Sequence, residues 1–344
     1  TTHAQSPPGY YTDSQSTSWP YPLASCNHLS HGPSKHRGKR VSEIKLFRIS
    51  GGDTVELRGG SMSVEKELQS LLERHLEAFL GARFLATEYS TGRTHRGRID
   101  TLGLDENNAP VIIEYKRRSD ENVMSQGLFY LDWLMDHRAE FELLVTKELG
   151  EKTSEMIDWS VPRLVCIPSD FNRYDEHAVK QIDRNIDLIR YQHYPDGYLV
   201  LELVNSTTST VAVAMKTDDG SSKPVNYKTV SQYLEGAKDG LRSLYGELRE
   251  HLLGLGEDTQ EKITLYYFAF KRIRNFACVE VYTREEKLLV HLKVDPDTVE
   301  IEEGFTRDVR EIGHFGTGEL EVTLRSTEDL ERAKPLIALS YEAS

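Results

Sequence analysis

Two acids and an amine sit inside an otherwise apolar stretch, "RGRIDTLGLDENNAPVIIEYKRRS", from Arg96 to Ser119. Asp100 lies in the first apolar run; Glu114 and Lys116 lie in the second, Val111-Ile112-Ile113-Glu114-Tyr115-Lys116. Residues i and i+2 of a strand point the same way, so Glu114 and Lys116 share one face and Ile113 and Tyr115 the other. A hairpin folded at Asp105-Glu106-Asn107-Asn108-Ala109-Pro110 brings Asp100 near Glu114. Such charges are costly beside Val and Ile unless they are paired or bind a metal. Two carboxylates forced together repel, so they should hold a proton or a divalent cation. Mg²⁺ or Mn²⁺ held there would neutralise phosphoryl oxygens and acidify a water. Lys116 would orient or deprotonate that water, or stabilise negative charge in the transition state. Asp100, Glu114 and Lys116 are therefore candidates for hydrolysing a phosphodiester.

The flanking sequence must place this hairpin. Val64 to Leu80 is predicted as a helix, with Ser61-Met62-Ser63 offering N-caps and Gly81 ending it. Val64, Leu68, Leu71, Leu72, Leu76 and Phe79 form its apolar stripe. Glu65 lies roughly 40° from the centre of that stripe, so it faces inward and is a further candidate metal ligand, whereas Glu67 faces water. Strands are predicted at Phe84–Glu88, 98–104, 111–116, Phe141–Thr146 and Arg163–Ile167. Helices are predicted over 122–136, 148–157 and 175–186, then a hairpin turned on Pro195-Asp196-Gly197. On the wheel of the 122–136 helix, Gln126, Tyr130 and Trp133 form a flank placed to line the cleft, beside Val123, Gly127, Leu131 and Leu134. Arg96, Arg98, Arg117 and Arg118 flank the hairpin as candidate phosphate contacts. Strands interspersed with helices give an α/β or α+β fold.

The chain has 344 residues, 38% hydrophobic and 28% charged, with net charge −13 and pI about 5.5. That balance excludes a histone-like, charge-driven nucleic-acid binder, but not an enzyme with a metal ion and a few basic residues in its cleft. No apolar run approaches a membrane span, and the N-terminus lacks the apolar region of a signal peptide. Cys26, Cys166 and Cys278 make neither a zinc pattern nor a disulfide framework, and a cytoplasmic location is expected. Residues 1–40, rich in Ser, Pro, His and Gly, are expected to be disordered or a non-native leader, and His3, His28, His31 and His36 match no metal motif. A short hairpin is expected within 41–58, turned on Gly51-Gly52-Asp53. The Ser-, Thr- and Gly-dense stretch 205–228 reads as a linker. Beyond it a helix over 230–255, strands at 262–271, 276–282, 287–294 and 319–324, and a last helix bent or split at Pro335 are predicted. Gly313 to Gly318 reads as a Gly-rich turn rather than a phosphate loop.

Asp100, Glu114-Tyr115-Lys116 and Gln126-x-x-x-Tyr130 together resemble the PD-(D/E)xK nuclease superfamily, in its RecB-like, Gln-x-x-x-Tyr form. The first motif is reduced to Ile99-Asp100, without the Pro. The resemblance implies a restriction-endonuclease-like mixed central sheet flanked by helices, a Mg²⁺ or Mn²⁺ cofactor, and DNA as partner. It also implies that Gln126 and Tyr130 help position Lys116 and the nucleic-acid backbone. The wider stretch from Glu65 to Val145 is similar to a bacterial group whose members carry a C-terminal domain called DUF5655. "KVDPDTV", "RDVREIGHFGTGELEV" and "AKPLIALSYE" resemble that domain. The expected layout is a nuclease-like domain over 41–204, the linker over 205–228, and a smaller α+β domain over 229–344. The expected function is metal-dependent DNA cleavage in repair or defence, by a homodimer where two strands are cut. The rival is a nucleic-acid- or protein-binding module that keeps the fold without cutting; retention of Asp, Glu and Lys favours the enzyme.

Overall fold

The computed structural model describes residues 44–117, 122–207 and 229–344. The leader assigned to 1–40, Arg118, and the linker from 208 onward lie outside the described residues. In chain order the first part comprises β1 (Leu46–Ser50), β2 (Asp53–Leu57), α1 (Glu65–Arg74), α2 (Leu76–Leu80), β3 (Ala82–Ser90), α3 (Gly92–His95), β4 (Arg98–Asp105), β5 (Pro110–Lys116), α4 (Val123–Asp136), α5 (Arg138–Leu149), α6 (Glu151–Glu155), β6 (Arg163–Pro168), α7 (Arg173–Ala178), β7 (Asn185–Tyr194) and β8 (Tyr198–Thr207). The second comprises α8 (Val230–Glu235), α9 (Asp239–Leu253), β9 (Gln260–Ile263), β10 (Phe268–Lys271), β11 (Asn275–Tyr282), β12 (Lys287–Leu292), β13 (Thr306–Asp308), β14 (Leu320–Leu324) and α10 (Thr327–Glu342).

The first six-stranded sheet has the order β3-β4-β5-β6-β7-β8. β5–β6 and β6–β7 are parallel and the other pairs antiparallel. Its central strands are covered on both faces, which is why "PVIIEYK" and "RLVCIP" read as near-continuous apolar runs. Leu68, Leu72, Leu76 and Leu80 of α1 and α2 pack against Val111, Ile113, Tyr115 and Val165. On the opposite face, Leu131 and Leu134 of α4 and Phe141 and Val145 of α5 pack against Ile112, Leu164 and Cys166. The second sheet, β13-β14-β12-β11-β10-β9, is antiparallel throughout. It is covered on one face by α8, α9 and α10 through Val230, Leu244, Leu248, Leu330 and Ile337. The chain is thus a mixed α/β protein.

The structure corrects several expectations. Phe141–Thr146, expected as a strand, lies within α5: Phe141 and Val145 bury together at i,i+4, and the β-branched content of the run is overridden by that helical spacing. The 64–80 helix breaks at His75, and Val64 caps α1 with no side-chain bond. The 230–255 helix breaks before Asp239, and 262–271 holds two strands rather than one. α10 runs unbroken past Pro335. β8 carries through Thr207, so the expected linker begins as strand. Among the described residues no helix is long and apolar enough to cross a membrane. Cys166 and Cys278 are free and buried.

Candidate active site

β4 and β5 part where the acids stand. Their ladder ends at Thr101 opposite Ile113. Beyond that pair β4 continues against β3 as far as Arg98, while β5 continues against β6 as far as Lys116. The fork leaves backbone N–H groups without ladder partners, and the two carboxylates take them. Glu114 Oε1 accepts from the Asp100 N–H at 3.2 Å, and Asp100 Oδ2 accepts from the Tyr115 N–H at 3.0 Å. Each acid therefore holds the other's strand, and the exchange faces the two side chains toward one another.

That arrangement is electrostatically expensive. Glu114 is fully buried, and burial, then the Asp100 carboxylate, push its pKa up to about 9. Its second oxygen, Oε2, is buried without a hydrogen-bond partner. Asp100 is also raised, chiefly by burial, against the opposing pull of the Tyr115 N–H and Lys116. The Lys116 ammonium stands 3.6 Å from Glu65 Oε1 and 3.9 Å from Asp100 Oδ2. Glu65 faces inward from the first turn of α1, and its Oε2 accepts from the Arg117 N–H at 2.8 Å.

The four residues thus converge, but in two groups: Asp100 with Glu114, and Glu65 with Lys116 and the end of β5. Among the described residues no set of three or more His, Cys, Asp or Glu gathers as a ready metal site, and the Glu65 oxygens face Lys116 and the Arg117 N–H. Asp100 and Glu114 alone fit a hard divalent cation. Such an ion is commonly held by one or two carboxylates with waters completing its shell, and Glu114 Oε2 is a buried oxygen with no hydrogen-bond partner.

Two positioning residues escaped the sequence reading. Gln69 donates from Nε2 to the Asp100 carbonyl at 2.6 Å, and Glu73 accepts from Thr101 Oγ1 at 2.6 Å and from Gln69 Nε2 at 2.9 Å. Glu65, Gln69 and Glu73 repeat at i, i+4 and i+8, which places them on one line of α1 facing the hairpin. That repeat was the available signal.

Gln126 and Tyr130 act at the entry to β4. The Tyr130 hydroxyl accepts from the Arg98 N–H at 3.1 Å and from Gln126 Nε2 at 3.3 Å. Trp133, expected to line the cleft with them, is instead buried in the core and stacks on His137 at 4.7 Å between ring centroids. Arg98 is exposed and pairs with Glu88 at 3.5 Å, and Arg117 is exposed. Gly97 lets Tyr130 approach: a Cβ there would lie 2.4 Å from the Tyr130 ring and 2.9 Å from its hydroxyl. Gly97→Ala is accordingly expected to lower stability by about 1–3 kcal/mol, read as a shift of the denaturant midpoint. An unchanged midpoint would show that Tyr130 can move without disturbing β4. A cavity of about 420 Å³ lies elsewhere, lined by Leu131, Met135, Ile182 and Arg184 among others; neither acid of the fork lines it.

Residues 64–159, which contain the whole fork, match the family model described as the endonuclease NucS C-terminal domain. Residues 230–344 match the model of DUF5655, a domain of unknown function. An uncharacterized protein of Haemophilus influenzae is 27% identical over 302 residues, covering 86% of this chain and 98% of that protein. No solved structure matches the chain.

Proposed function

We propose that this protein is a metal-dependent nuclease that hydrolyses DNA phosphodiester bonds, of the PD-(D/E)xK type, with Asp100 and Glu114 as metal ligands and Lys116 as the catalytic amine. The observation that carries the reading is Glu114, buried with one oxygen on the Asp100 N–H and the other unpartnered, at the open end of the hairpin with Lys116 beside Asp100. The match of this segment to an endonuclease domain supports it. A bound Mg²⁺ or Mn²⁺ would supply charge neutralisation at the phosphoryl oxygens and an acidified water. Asp100 and Glu114 would hold that ion, its charge standing in for the proton that burial keeps on Glu114. Lys116, steadied by Glu65 and Asp100, orients the attacking water and offsets charge as phosphorus becomes five-coordinate. Gln126 and Tyr130 hold the entry of β4, and so the register of Asp100. Arg98 and Arg117, exposed on either side, and Arg118 in sequence next to them, contact the phosphate backbone.

The test is cleavage of single- and double-stranded DNA with Mg²⁺, with Mn²⁺ and with chelator. Cutting that requires the ion is the expected result. Binding to DNA without cutting on any substrate would overturn the proposal in favour of a binding module that keeps the fold.

A further inference from the structure

The turn of the β4–β5 hairpin reads as ordinary surface turn chemistry, yet it is buried against the second sheet. The described residues from Leu46 to Ser344 belong to one compact unit, and the contact between the sheets carries several ion pairs. Among the described ion pairs of this contact the acids belong to the first sheet or its β4–β5 turn, and the lysines to the second sheet or the residue after β12. Asp105 meets Lys262 at 3.3 Å, Asp187 meets Lys271 at 2.9 Å, and Glu106 meets Lys293 at 2.7 Å. Asp105 and Lys262 have side chains only 1% and 5% exposed. Between the ion pairs, Asn107 Oδ1 accepts from the Tyr267 hydroxyl at 2.8 Å and from Asn275 Nδ2 at 2.7 Å. Glu106 also accepts from the Asn275 N–H. Arg163 ties both sides: it bonds Asp187 at 2.6 Å and the Ile273 carbonyl at 3.1 Å. Burial pushes Asp105 up, but Lys262 and Arg163 outweigh it and hold the carboxyl below its usual range. Three of these partners, Asp105, Glu106 and Asn107, are consecutive residues of the turn itself.

We propose that the second sheet is a positioning element for the catalytic hairpin, gripping its turn so that the open end keeps its geometry. This rests on the function proposed above. The chain runs six residues from Glu106 back along β4 to Asp100, roughly 20 Å of extended chain. β4 and β5 are paired to β3 and β6 along their length, so the tertiary contacts at the two ends of the hairpin set where its fork stands. The open end is held by Gln69 and Tyr130 on backbone atoms of Asp100 and Arg98. The turn end is held by residues of the second sheet. Directional, complementary ion pairs define one docked register and penalise others. A misplacement of about 1 Å at reacting groups can lower a rate roughly 10²-fold, so a grip this far from the chemistry has leverage on it.

Lys293 is the residue to test, because its side chain is 20% exposed, more than those of Lys262 and Lys271. Lys293→Glu sets an acid against Glu106, whereas Lys293→Arg keeps the charge. Lys293→Glu is expected to lower kcat roughly 5–50-fold with KM for a short DNA duplex within about twofold. Amide hydrogen exchange over 98–105 and 110–116 should speed up in the same variant. Lys293→Arg should restore both readouts. If Lys293→Glu does not fold, Lys293→Gln gives the same comparison in milder form. Unchanged kcat and unchanged exchange would overturn the grip. A change in KM alone would overturn it too, by making Lys293 a DNA contact. If the wild type cuts no DNA, the proposed function falls, and exchange alone decides the grip: equal exchange in wild type and variant overturns it, faster exchange sustains it.

Discussion

Asp100→Ala and Lys116→Ala are each expected to lower metal-dependent DNA cleavage by about 10²–10³-fold or more, and to fail for different reasons. Asp100 shares the fork with Glu114 and accepts from the Tyr115 N–H, so its loss would remove a proposed ion ligand and leaves a backbone donor without its carboxylate. Mn²⁺ binding should fall with activity. Asp100→Asn separates the two effects: its amide oxygen can still accept from Tyr115, but the negative charge is gone. Lys116 sits beside the acids without being an oxygen donor, so Lys116→Ala should bind Mn²⁺ and still not cut. The Glu65 bond to the Arg117 N–H does not involve Lys116 and should hold the end of β5 in place. Mn²⁺ titration followed by electron paramagnetic resonance, run beside a cleavage assay, reads both quantities. Cutting at the wild-type rate in either alanine variant would remove that residue from the mechanism. Loss of Mn²⁺ binding in Lys116→Ala would mean that the lysine acts by holding the acids rather than by acting on the water.

How much of this was legible in sequence depends on the range over which each signal acts. Strand parity is local, so the shared face of Glu114 and Lys116, and the hairpin that sets Asp100 against them, could be read from seven residues and a turn. The apolar stripe of α4 was equally local, with Val123, Gly127, Leu131 and Leu134 all buried. Burial of Trp133 was not, because the flank of a helix becomes cleft or core only when its neighbours are known. The six residues Phe141–Thr146 are too few to separate strand from helix by periodicity, and the mistake there follows from that length. The largest omission was the contact at the turn. Asp105, Glu106 and Asn107 favour a turn whether or not anything covers them, and their partners lie more than 150 residues away. A distant echo was available: Lys271 closes the apolar run Phe268-Ala269-Phe270-Lys271, the same anomaly that flagged Glu114. Charge inside an apolar strand asks for a partner in both places; only the chemistry of the partner differs.

Glu114→Gln should raise stability in the absence of metal, and increasingly so as pH rises. The folded-state pKa of Glu114 is about 9 against an ordinary 4.5, with burial as the main cause and the Asp100 charge second. For a carboxyl raised in this way the native state keeps a proton that the unfolded chain has lost. The stabilising contribution is complete below about pH 4.5 and drains away as pH climbs toward 9. Within that window one such group costs about 1.4 kcal/mol per pH unit. Gln is isosteric, cannot ionise, and keeps an oxygen to accept from the Asp100 N–H. The difference between variant and wild type should therefore be small at pH 5 and amount to several kcal/mol at pH 8.5. Asp100, raised in the same direction, remains in both proteins and largely cancels in the comparison. A divalent cation should act in the opposite sense, replacing the proton between the two carboxylates and stabilising the wild type most where the proton is held least tightly. Mg²⁺ at pH 8.5 should raise the wild-type Tm and leave Glu114→Gln nearly unmoved. Urea denaturation at pH 5, 7 and 8.5, with Mg²⁺ and with chelator, reads all of these. Parallel stability curves for wild type and variant would mean that Glu114 is ionised and paired in the fold, and the electrostatic case for a cation between Asp100 and Glu114 would fail with it.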